Sequence, residues 1–560
     1  MLRTLALLGA AALCAGSAAG AQAPLPLKRA PQPTVPAITP ADLMSRLYVF
    51  ADDSMMGREA GTPDNLRGTA YIERELRRIG LTPAGDAGTF FQNVPLVRRV
   101  PDEAATLSVD GARLARGTDY LPRDQGYGAR SLDGVQAVYG GTWGVAATLL
   151  PATQAAGKLV VLAIPRGPKG EPVWPANRAL ITARFHSAAG IAYASLDAMP
   201  AAVQAEYRAS TAELDTGKRD SAALPAWVYV TRGTARRLLG VPADSASPGL
   251  AGRTVLGGIP FVDGVAPARN VVAVLPGSDP RLRGEYVAVG AHNDHIGFVR
   301  APLEHDSLRA FNSVMRPHGA EDEEVGTPTP AQAVRIRALT DSLHRLHPAR
   351  PDSIFNGADD DGSGTVSVLE IAEALKRQGP APRRSILFVW HTGEELGLYG
   401  SQWYTDHPTV PRDSVVAQLN IDMIGRGGAA DLAGGGPTYL QLIGSRRLST
   451  ELGDVVEAVN RTEARPFAFD YQFDANGHPS QYYCRSDHYE YARYGIPITF
   501  FSTGGHQDYH QLTDEPQYID YAHMARVATL VRDVAVRLAN LDHRVVVDKP
   551  KPDPQGECRQ

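Results

Sequence analysis

The chain has 560 residues, a formal net charge of -5 and a hydrophobic fraction of 43%. One hydrophobic core cannot fill this length, so the composition predicts about two to four domains of an ordinary soluble protein. Without a basic excess, nucleic acid is not an expected partner. Of the three cysteines, Cys14 lies in an N-terminal leader, so only Cys484 and Cys558 would remain after its cleavage. At most one disulfide can then form, and a disulfide scaffold and a cysteine-based zinc site are excluded, so any metal must bind through His, Asp and Glu.

The N-terminus has the features of a secretory signal peptide. Arg3 precedes a short apolar run, 5–13, and small residues at 19–21 provide a cleavage site. The run is too short to span a membrane, and the large Leu13 before Cys14 disfavours a lipid anchor. We therefore expect a signal peptide over 1–21, no membrane span, and export to the periplasm or the medium.

The rest of the chain divides into segments of different composition. A Pro- and Ala-rich linker covers 22–38, and a polar tail at 546–560 is expected to be disordered. Between 101 and 264, short β-rich runs alternate with Gly/Pro turns, which predicts an inserted domain. The flanking parts, 39–100 and 265–545, are predicted to form one discontinuous domain.

The discontinuous domain alternates apolar strands with amphipathic helices. Continuous apolar runs separated by helices predict an α/β fold with a mostly parallel central sheet and helices on both faces. The predicted strands cover 270–275, 286–290, 385–391, 415–422 and 496–501, and the predicted helices include 64–79, 365–377 and 521–541.

Histidine and carboxylate residues follow several of these strands. In a parallel sheet, the loops beyond the carboxyl ends of the strands lie at one edge and bind ligands. Each residue alone has an ordinary structural explanation, but together they predict one site. The candidates at this edge are His292 and Asp294, the acidic loop 357–364, Glu394 and Glu395, Asp422, and the run 508–510.

Such a set suits two zinc ions. Imidazole nitrogen and carboxylate oxygen are zinc ligands, and one carboxylate can bridge two metals that together polarise a carbonyl and activate water. Of the adjacent pair Glu394 and Glu395, one can bind metal while the other serves as a general base. Carboxylate-rich sites also accept cobalt or manganese.

Calcium is the specific competitor. The segment 359–370 matches a calcium-binding loop in its acidic positions and in Gly364. An EF-hand requires an entering helix, however, and Pro351 and Gly357 interrupt the preceding segment. No second copy of the loop occurs in the sequence. Zinc is therefore the favoured prediction.

These segments resemble the co-catalytic zinc aminopeptidases, a family whose relatives include glutamate carboxypeptidases, glutaminyl cyclases and the non-enzymatic transferrin receptor. The resemblance covers most of 40–100 and 265–540, and the insert at 101–264 resembles, more loosely, a protease-associated domain. The matching segments are GREAGTPDN (57–65), GAHNDHIG (290–297), NGADDDGSG (356–364), HTGEELGLYGS (391–401), NIDMIGR (420–426), SDHYEYARYGIPITFF (486–501) and DYHQLTDE (508–515).

The resemblance implies two zinc ions per chain and a role for each candidate. Asp360 is selected over its acidic neighbours because it lies two residues before the Gly-Ser-Gly run of the family pattern. His488 and His506 are rival ligands, for which a structural role is favoured. The implied ligands are His292, Asp360 and Asp422 for one zinc, and Asp360, Glu395 and His510 for the other.

Three further residues carry implied catalytic roles. Glu394 would be the general base that takes a proton from the attacking water and passes it to the leaving amine. Asp294 would orient a neighbouring metal ligand. Tyr509 would hydrogen-bond the oxyanion of the reaction.

The chain departs from the family pattern in one place. His292 and Asp360 are 360 − 292 = 68 positions apart, whereas relatives join these ligands by a short loop. The insertion, 300–355, contains a predicted helix at 331–346. A lid that limits substrate length and a plain surface excursion are both consistent with its sequence.

The favoured function is that of an exported metallopeptidase, an aminopeptidase that removes N-terminal residues from peptides. A carboxypeptidase or dipeptidase on the same scaffold is the alternative, because these relatives share the ligand set. A glutaminyl cyclase or a non-catalytic receptor-like protein is a weaker alternative, since all five ligands and Glu394 are present. The sequence carries no signal of oligomeric state.

Overall fold

A computed structural model describes residues 25–123, 129–168, 170–174, 181, 183–208, 211–215, 224–322, 325–346 and 348–560. The predicted signal peptide, 1–21, and the start of the linker lie outside these residues. No helix within the described ranges is long and apolar enough to cross a membrane.

The central sheet has nine strands, and the four in its middle run parallel. Strand Phe91–Asn93 pairs at its side with Arg269–Leu275. The other strands follow the order Thr82–Pro83, Arg269–Leu275, Ser385–His391, Tyr286–His292, Val415–Ile421, Ile498–Ser502, Tyr439–Ile443 and Ala468–Asp470. The predicted strands of the discontinuous domain are confirmed with bounds shifted by at most two residues.

Helices cover both faces of this sheet, as predicted. Alternate residues of one strand enter different cores: Val287 and Val289 face one side, and Ala288 faces the other. Helices Pro40–Phe50, Pro63–Ile79, Gly364–Arg377, Thr450–Asn460 and Tyr521–Ala539 pack on the first side, and Tyr399–Asp406 and His488–Ala492 on the second. Because both faces are buried, the strand edges are left as the place for a polar site.

Local sequence explains where these helices begin and end. The helix Pro63–Ile79 starts at Thr62, whose side chain accepts a hydrogen bond from the Asp64 amide, and it has proline in its first turn. It ends at Gly80, which adopts a left-handed conformation with φ of 85° that favours glycine.

A second unit occupies most of the inserted segment. Its eight-stranded sheet separates two cores of its own. The strands are Leu107–Val109, Ala112–Arg113, Tyr120–Arg123, Val135–Thr142, Leu159–Ala163, Gly190–Ala194, Ala226–Val230 and Ala251–Gly257, with helices Ala152–Ala155, Ala201–Arg208 and Arg232–Leu239. A three-stranded sheet of Leu96–Pro101, Ala212–Leu214 and Phe261–Ala266 joins it to the domain of the nine-stranded sheet.

The insertion after His292 is a folded excursion. Strands Phe298–Glu304 and Pro351–Ile354 pair antiparallel at its base. Helices His305–Met315 and Pro330–Leu343 pack against each other above them, and the second begins with a capping box at Thr329.

The C-terminal tail differs from its expected disorder. A disulfide joins Cys484 to Cys558 across 74 positions of sequence. Gln560 then donates a side-chain hydrogen bond of 2.6 Å to the carbonyl of Phe473. The polar composition suggested disorder, but this single covalent link fixes the tail against the loop 472–486.

Candidate metal centre

The candidate residues lie where neighbouring strands end at one edge of the sheet. His292 is the last residue of the strand Tyr286–His292, and it lies opposite His391 of the parallel neighbour. Asp422 follows the strand Val415–Ile421 directly. Glu394 and Glu395 follow Ser385–His391 after a Thr-Gly turn, and His510 lies in the loop after Ile498–Ser502. The sheet register thus brings residues from distant parts of the chain together.

Asp360 lies between two groups of side chains. One of its oxygens is 3.1 Å from His292 Nε2, and the other is 2.9 Å from His510 Nε2. His292 Nε2 is also 3.6 Å from Asp422 Oδ1. His510 Nε2 is 2.9 Å from Glu395 Oε2. One carboxylate is therefore shared between a group containing His292 and a group containing His510.

The neighbouring aspartates have different partners. Asp361 accepts hydrogen bonds from the amides of His292, Gly364 and Met423. Asp359 accepts one from the amide of Gly425. Asp359 and Asp361 thus accept hydrogen bonds from backbone amides. Of the three adjacent aspartates, only Asp360 lies between the two groups.

The calcium-loop alternative is not supported by this geometry. Its last position, Glu370, forms an ion pair with the buried Arg46. With Asp361 directed at backbone amides, the acidic positions of the loop do not converge on a common point. An EF-hand cage cannot be built from them.

Glu394 lies beside the first group. Its Oε2 is 4.0 Å from His292 Nε2, and its amide donates to Asp294 Oδ1 at 3.3 Å. Asp294 also lies beside the ring, with its carbonyl oxygen 3.2 Å from His292 Nδ1. Asp294 therefore contacts both the His292 ring and the backbone of the Glu394 loop.

His295 belongs to the second group, although the sequence reasoning did not select it. One ligand atom from each of His295, Asp360, Glu395 and His510 lies within 4.8 Å of the others. His295 Nδ1 is 2.6 Å from Glu395 Oε1. The available signal was its position directly after Asp294 in the segment GAHNDHIG, where a fourth polar residue extends the motif.

The rival histidines have other partners. His506 Nε2 is 3.1 Å from Asp359 Oδ2. His488 stacks on Phe500 with ring centroids 4.6 Å apart, and burial lowers its pKa to about 3. Neither belongs to a group that can hold an ion among the described residues. The predicted structural role agrees with these contacts.

Tyr509 lies beside the second group. Its ring stacks on His510 at 4.1 Å between centroids, and its hydroxyl accepts a hydrogen bond of 3.3 Å from Arg485. Burial raises the pKa of this hydroxyl well above its usual range. Tyr509 is thus a protonated donor next to the shared carboxylate.

The pKa values of the adjacent Glu394 and Glu395 are shifted in opposite directions. Burial, reinforced by Asp422, raises the pKa of Glu394 well above its usual range despite the opposing effect of His292. Burial also disfavours the charged form of Glu395, but His510 and His295 lower its pKa to about 2. One carboxyl is therefore poised to hold a proton, and the other is held as an anion.

The donor set fits divalent metal ions. His292 Nε2 and Asp422 Oδ1 are buried and make no hydrogen bond within the described part of the chain. Buried polar atoms without a partner are costly, and a cation coordinated by both would remove that cost. Imidazole and carboxylate donors in this number are typical of zinc and similar ions.

The fold and this arrangement define a class: α/β proteins whose sheet edge has a carboxylate shared between two His/carboxylate groups. The sequence profile described as peptidase family M28 matches residues 270–535. This matching segment contains the residues of both groups, so the chain is similar to peptidase family M28 over the part that forms the site.

Similarity to individual proteins is local. The chain is 43% identical over 77 residues to leupeptin-inactivating enzyme 1 of Streptomyces exfoliatus, covering 13% of this chain and 18% of the relative. It is 32% identical over 197 residues to leucine aminopeptidase 1 of Aspergillus oryzae, covering 33% and 47%. The chain thus spans less than half the length of these two relatives.

The solved structure of an aminopeptidase from Aneurinibacillus sp. strain AM-1 aligns over 92% of this chain and 97% of its own. The identity is 15% and the TM-score is 0.47.

Proposed function

We propose that the protein is an exported metallopeptidase with two zinc ions, most specifically an aminopeptidase that acts on peptides. The observation that carries this proposal is the position of Asp360 between the His292 and His510 groups, with Glu394 beside them. His292, Asp360 and Asp422 would hold one zinc, and Asp360, Glu395 and His510 the other. When bound, such a metal pair polarises the scissile carbonyl and makes water nucleophilic near neutral pH.

Glu394 is the proposed general base. Its carboxylate takes a proton from the attacking water and delivers it to the nitrogen of the leaving amine as the peptide bond breaks. Proximity of Oε2 to the His292 group, 4.0 Å from Nε2, supports this role. The pKa of Glu394 is raised by burial, and this direction favours a carboxyl that can carry the proton before it passes to the leaving amine.

Asp294 and Tyr509 have proposed supporting roles. Asp294 holds the His292 ring and the Glu394 amide in place, which fixes their mutual distance. The Tyr509 hydroxyl donates to the oxygen that becomes negative as water attacks. Its contact with Arg485 stabilises its position.

Two observations favour an aminopeptidase over a carboxypeptidase. The curated relative from Aspergillus oryzae is named a leucine aminopeptidase. A carboxypeptidase needs a cation for the C-terminal carboxylate, but Arg485, the only arginine or lysine among the described residues that line the cleft, is already paired with Glu321.

The remaining parts of the chain fit export and accessory roles. The sequence 1–21, outside the described residues, is proposed as a cleaved signal peptide. The unit built on the eight-stranded sheet is proposed to be a protease-associated domain.

The proposed mechanism is tested with the Glu394→Gln variant. Loss of a general base is expected to lower kcat on a leucyl anilide by about 10²–10⁴-fold, with zinc content unchanged because Glu394 is not a proposed ligand. Glu457→Gln is the matched control, since Glu457 lies on the surface and pairs with Arg446. Full activity of Glu394→Gln would refute the mechanism.

The class of peptidase is tested with the unmodified enzyme. Amino-acyl anilides are expected to be cleaved and N-blocked peptides to resist. Release of C-terminal residues from blocked peptides alone would instead establish a carboxypeptidase. Metal analysis is expected to give two zinc ions per chain, and one would favour a glutaminyl cyclase.

A further inference from the structure

The insertion contributes an acidic residue to the cleft beside the metal centre. Glu321 ends the short turn Gly319–Glu321, which lies between the two helices of the insertion. It lines the same cleft as Asp360, Glu394, Asp422 and His510. None of the short motif segments that resemble the zinc aminopeptidases contains Glu321, and the proposed function leaves this residue unexplained.

Glu321 forms one side of a polar network at the cleft. Its Oε1 accepts hydrogen bonds of 2.9 Å from Arg485 and 3.0 Å from the Tyr482 hydroxyl. Arg485 in turn donates to the hydroxyl of Tyr509, the residue before His510. The charge of Arg485 is therefore balanced by a carboxylate supplied from the insertion.

The turn that carries Glu321 is fixed to the metal-centre loop. The Ala320 amide donates a hydrogen bond of 3.0 Å to the carbonyl of Tyr509. Gly319 has a φ of 62°, and a Cβ atom there would lie 2.5 Å from the same carbonyl oxygen. Nearby, Arg309 of the insertion pairs with Asp508 at 2.7 Å. Glu321 is thus held in place from both its own turn and the adjacent helix.

The rest of the lining away from the metal centre is uncharged. Met423, Phe500, Ser502, Gly504 and Gly505 provide apolar or small neutral surface. The proposed ligands and Glu394 balance the charge of bound metal. Glu321 and Arg485 are then the remaining charged groups of the described lining, and as a pair they are neutral.

We propose that Glu321 is a specificity-determining residue: by neutralising Arg485 it makes the cleft select peptides whose N-terminal side chain is uncharged. This inference rests on the proposed aminopeptidase function. An unpaired Arg485 would attract an acidic side chain and repel a basic one. The ion pair cancels both effects, so the apolar and small neutral lining sets the preference for uncharged side chains. Specificity is the difference between the affinity for an acidic N-terminal side chain and that for an uncharged one. The Glu321 carboxylate lowers the first affinity by cancelling the charge of Arg485.

The test is the ratio of kcat/KM for a glutamyl anilide to that for a leucyl anilide. Glu321→Gln keeps the shape of the side chain and removes its charge. The ratio is expected to rise about tenfold, a modest factor because Arg485 is 41% exposed and solvent screens its field. Asp322→Asn is the matched control: Asp322 is the next residue and contacts His318 rather than Arg485.

A double variant, Glu321→Gln with Arg485→Gln, provides the second arm. Removing both charges is expected to return the ratio to that of the unmodified enzyme, whatever happens to the absolute rates. If Glu321→Gln cleaves neither anilide, calorimetry replaces the rate assay: the ratio of the binding constants of free glutamate and free leucine is expected to rise in the same direction. An unchanged ratio in Glu321→Gln, or an equal rise in Asp322→Asn, would overturn the inference.

Failure of the inference is distinguishable from failure of the proposed function. If the unmodified enzyme cleaves the leucyl anilide and Glu321→Gln has an unaltered ratio, only the role of Glu321 is refuted. If the unmodified, zinc-loaded enzyme cleaves no anilide at all, the aminopeptidase proposal is refuted together with the inference.

Discussion

His295 offers the sharpest test of how the metal centre is held. Its ring is 1% exposed, and Nδ1 lies 2.6 Å from Glu395 Oε1. Replacement by leucine removes this contact, whereas replacement by asparagine keeps a donor near the position of Nδ1 at similar size. The pair His295→Leu and His295→Asn therefore isolates one hydrogen bond.

The size of the effect follows from the chemistry of that bond. A hydrogen bond to a charged group contributes about 1.5–3 kcal/mol, which corresponds to about 10–150-fold in a binding constant. Glu395 belongs to the group of Asp360 and His510, and His292 and Asp422 belong to the other group. We therefore expect His295→Leu to weaken one zinc by this factor and leave the other within about threefold, since contacts to the second group are retained.

The assay is zinc competition with a chromophoric chelator, which resolves two stepwise dissociation constants. His295→Asn is expected to lie within about threefold of the unmodified protein at both sites, because it keeps the donor. Equal weakening of both sites in His295→Leu would refute the assignment of His295 to one group. Equal loss in His295→Asn would mean that the imidazole binds metal itself rather than orienting Glu395.

Two further predictions concern protons and the disulfide. Burial lowers the pKa of His510, but Glu395 and Asp360 raise it to about 11 in the metal-free protein, so this ring holds a proton that zinc must displace. Zinc affinity is therefore expected to rise with pH between pH 6 and 8, by about tenfold per pH unit for each proton released. Calorimetry in buffers of different ionisation enthalpy measures how many protons are released. A pH-independent affinity would contradict this prediction. Cys558→Ser opens a loop of 74 positions and is expected to lower the free energy of unfolding by up to about 4 kcal/mol, measured by urea unfolding without reductant. An unchanged urea midpoint would show that the tail is held by its other contacts alone.

The sequence was informative where local pattern determines structure. Apolar runs identified the central strands, and the polar residues after them were expected to meet because parallel strands share one edge. The structure places His292, Asp360 and His510 within hydrogen-bonding distance in series. His292 and His510 were identified because they follow predicted strands, which are visible in a sequence. Asp360 was selected instead by its position before the Gly-Ser-Gly run of the family pattern.

Features that depend on tertiary contacts were not visible. Glu321 and Arg485 are 164 positions apart and meet only because the insertion packs on the loop of Tyr509. His295 has no periodic signal, and its relation to Glu395 follows from the pairing of two strands. The tail has few apolar residues, so composition predicted disorder, and the disulfide changed that outcome.

The paired strands at the base of the insertion fix both of its ends at the edge of the sheet. Phe298 lies opposite Ile354, so both ends of the excursion leave the sheet edge at one point. Closing a longer loop between fixed ends costs only about 0.6 kcal/mol per doubling of its length. A change in the length of this segment is therefore expected to cost little stability, while the paired strands keep the two ends of the excursion together.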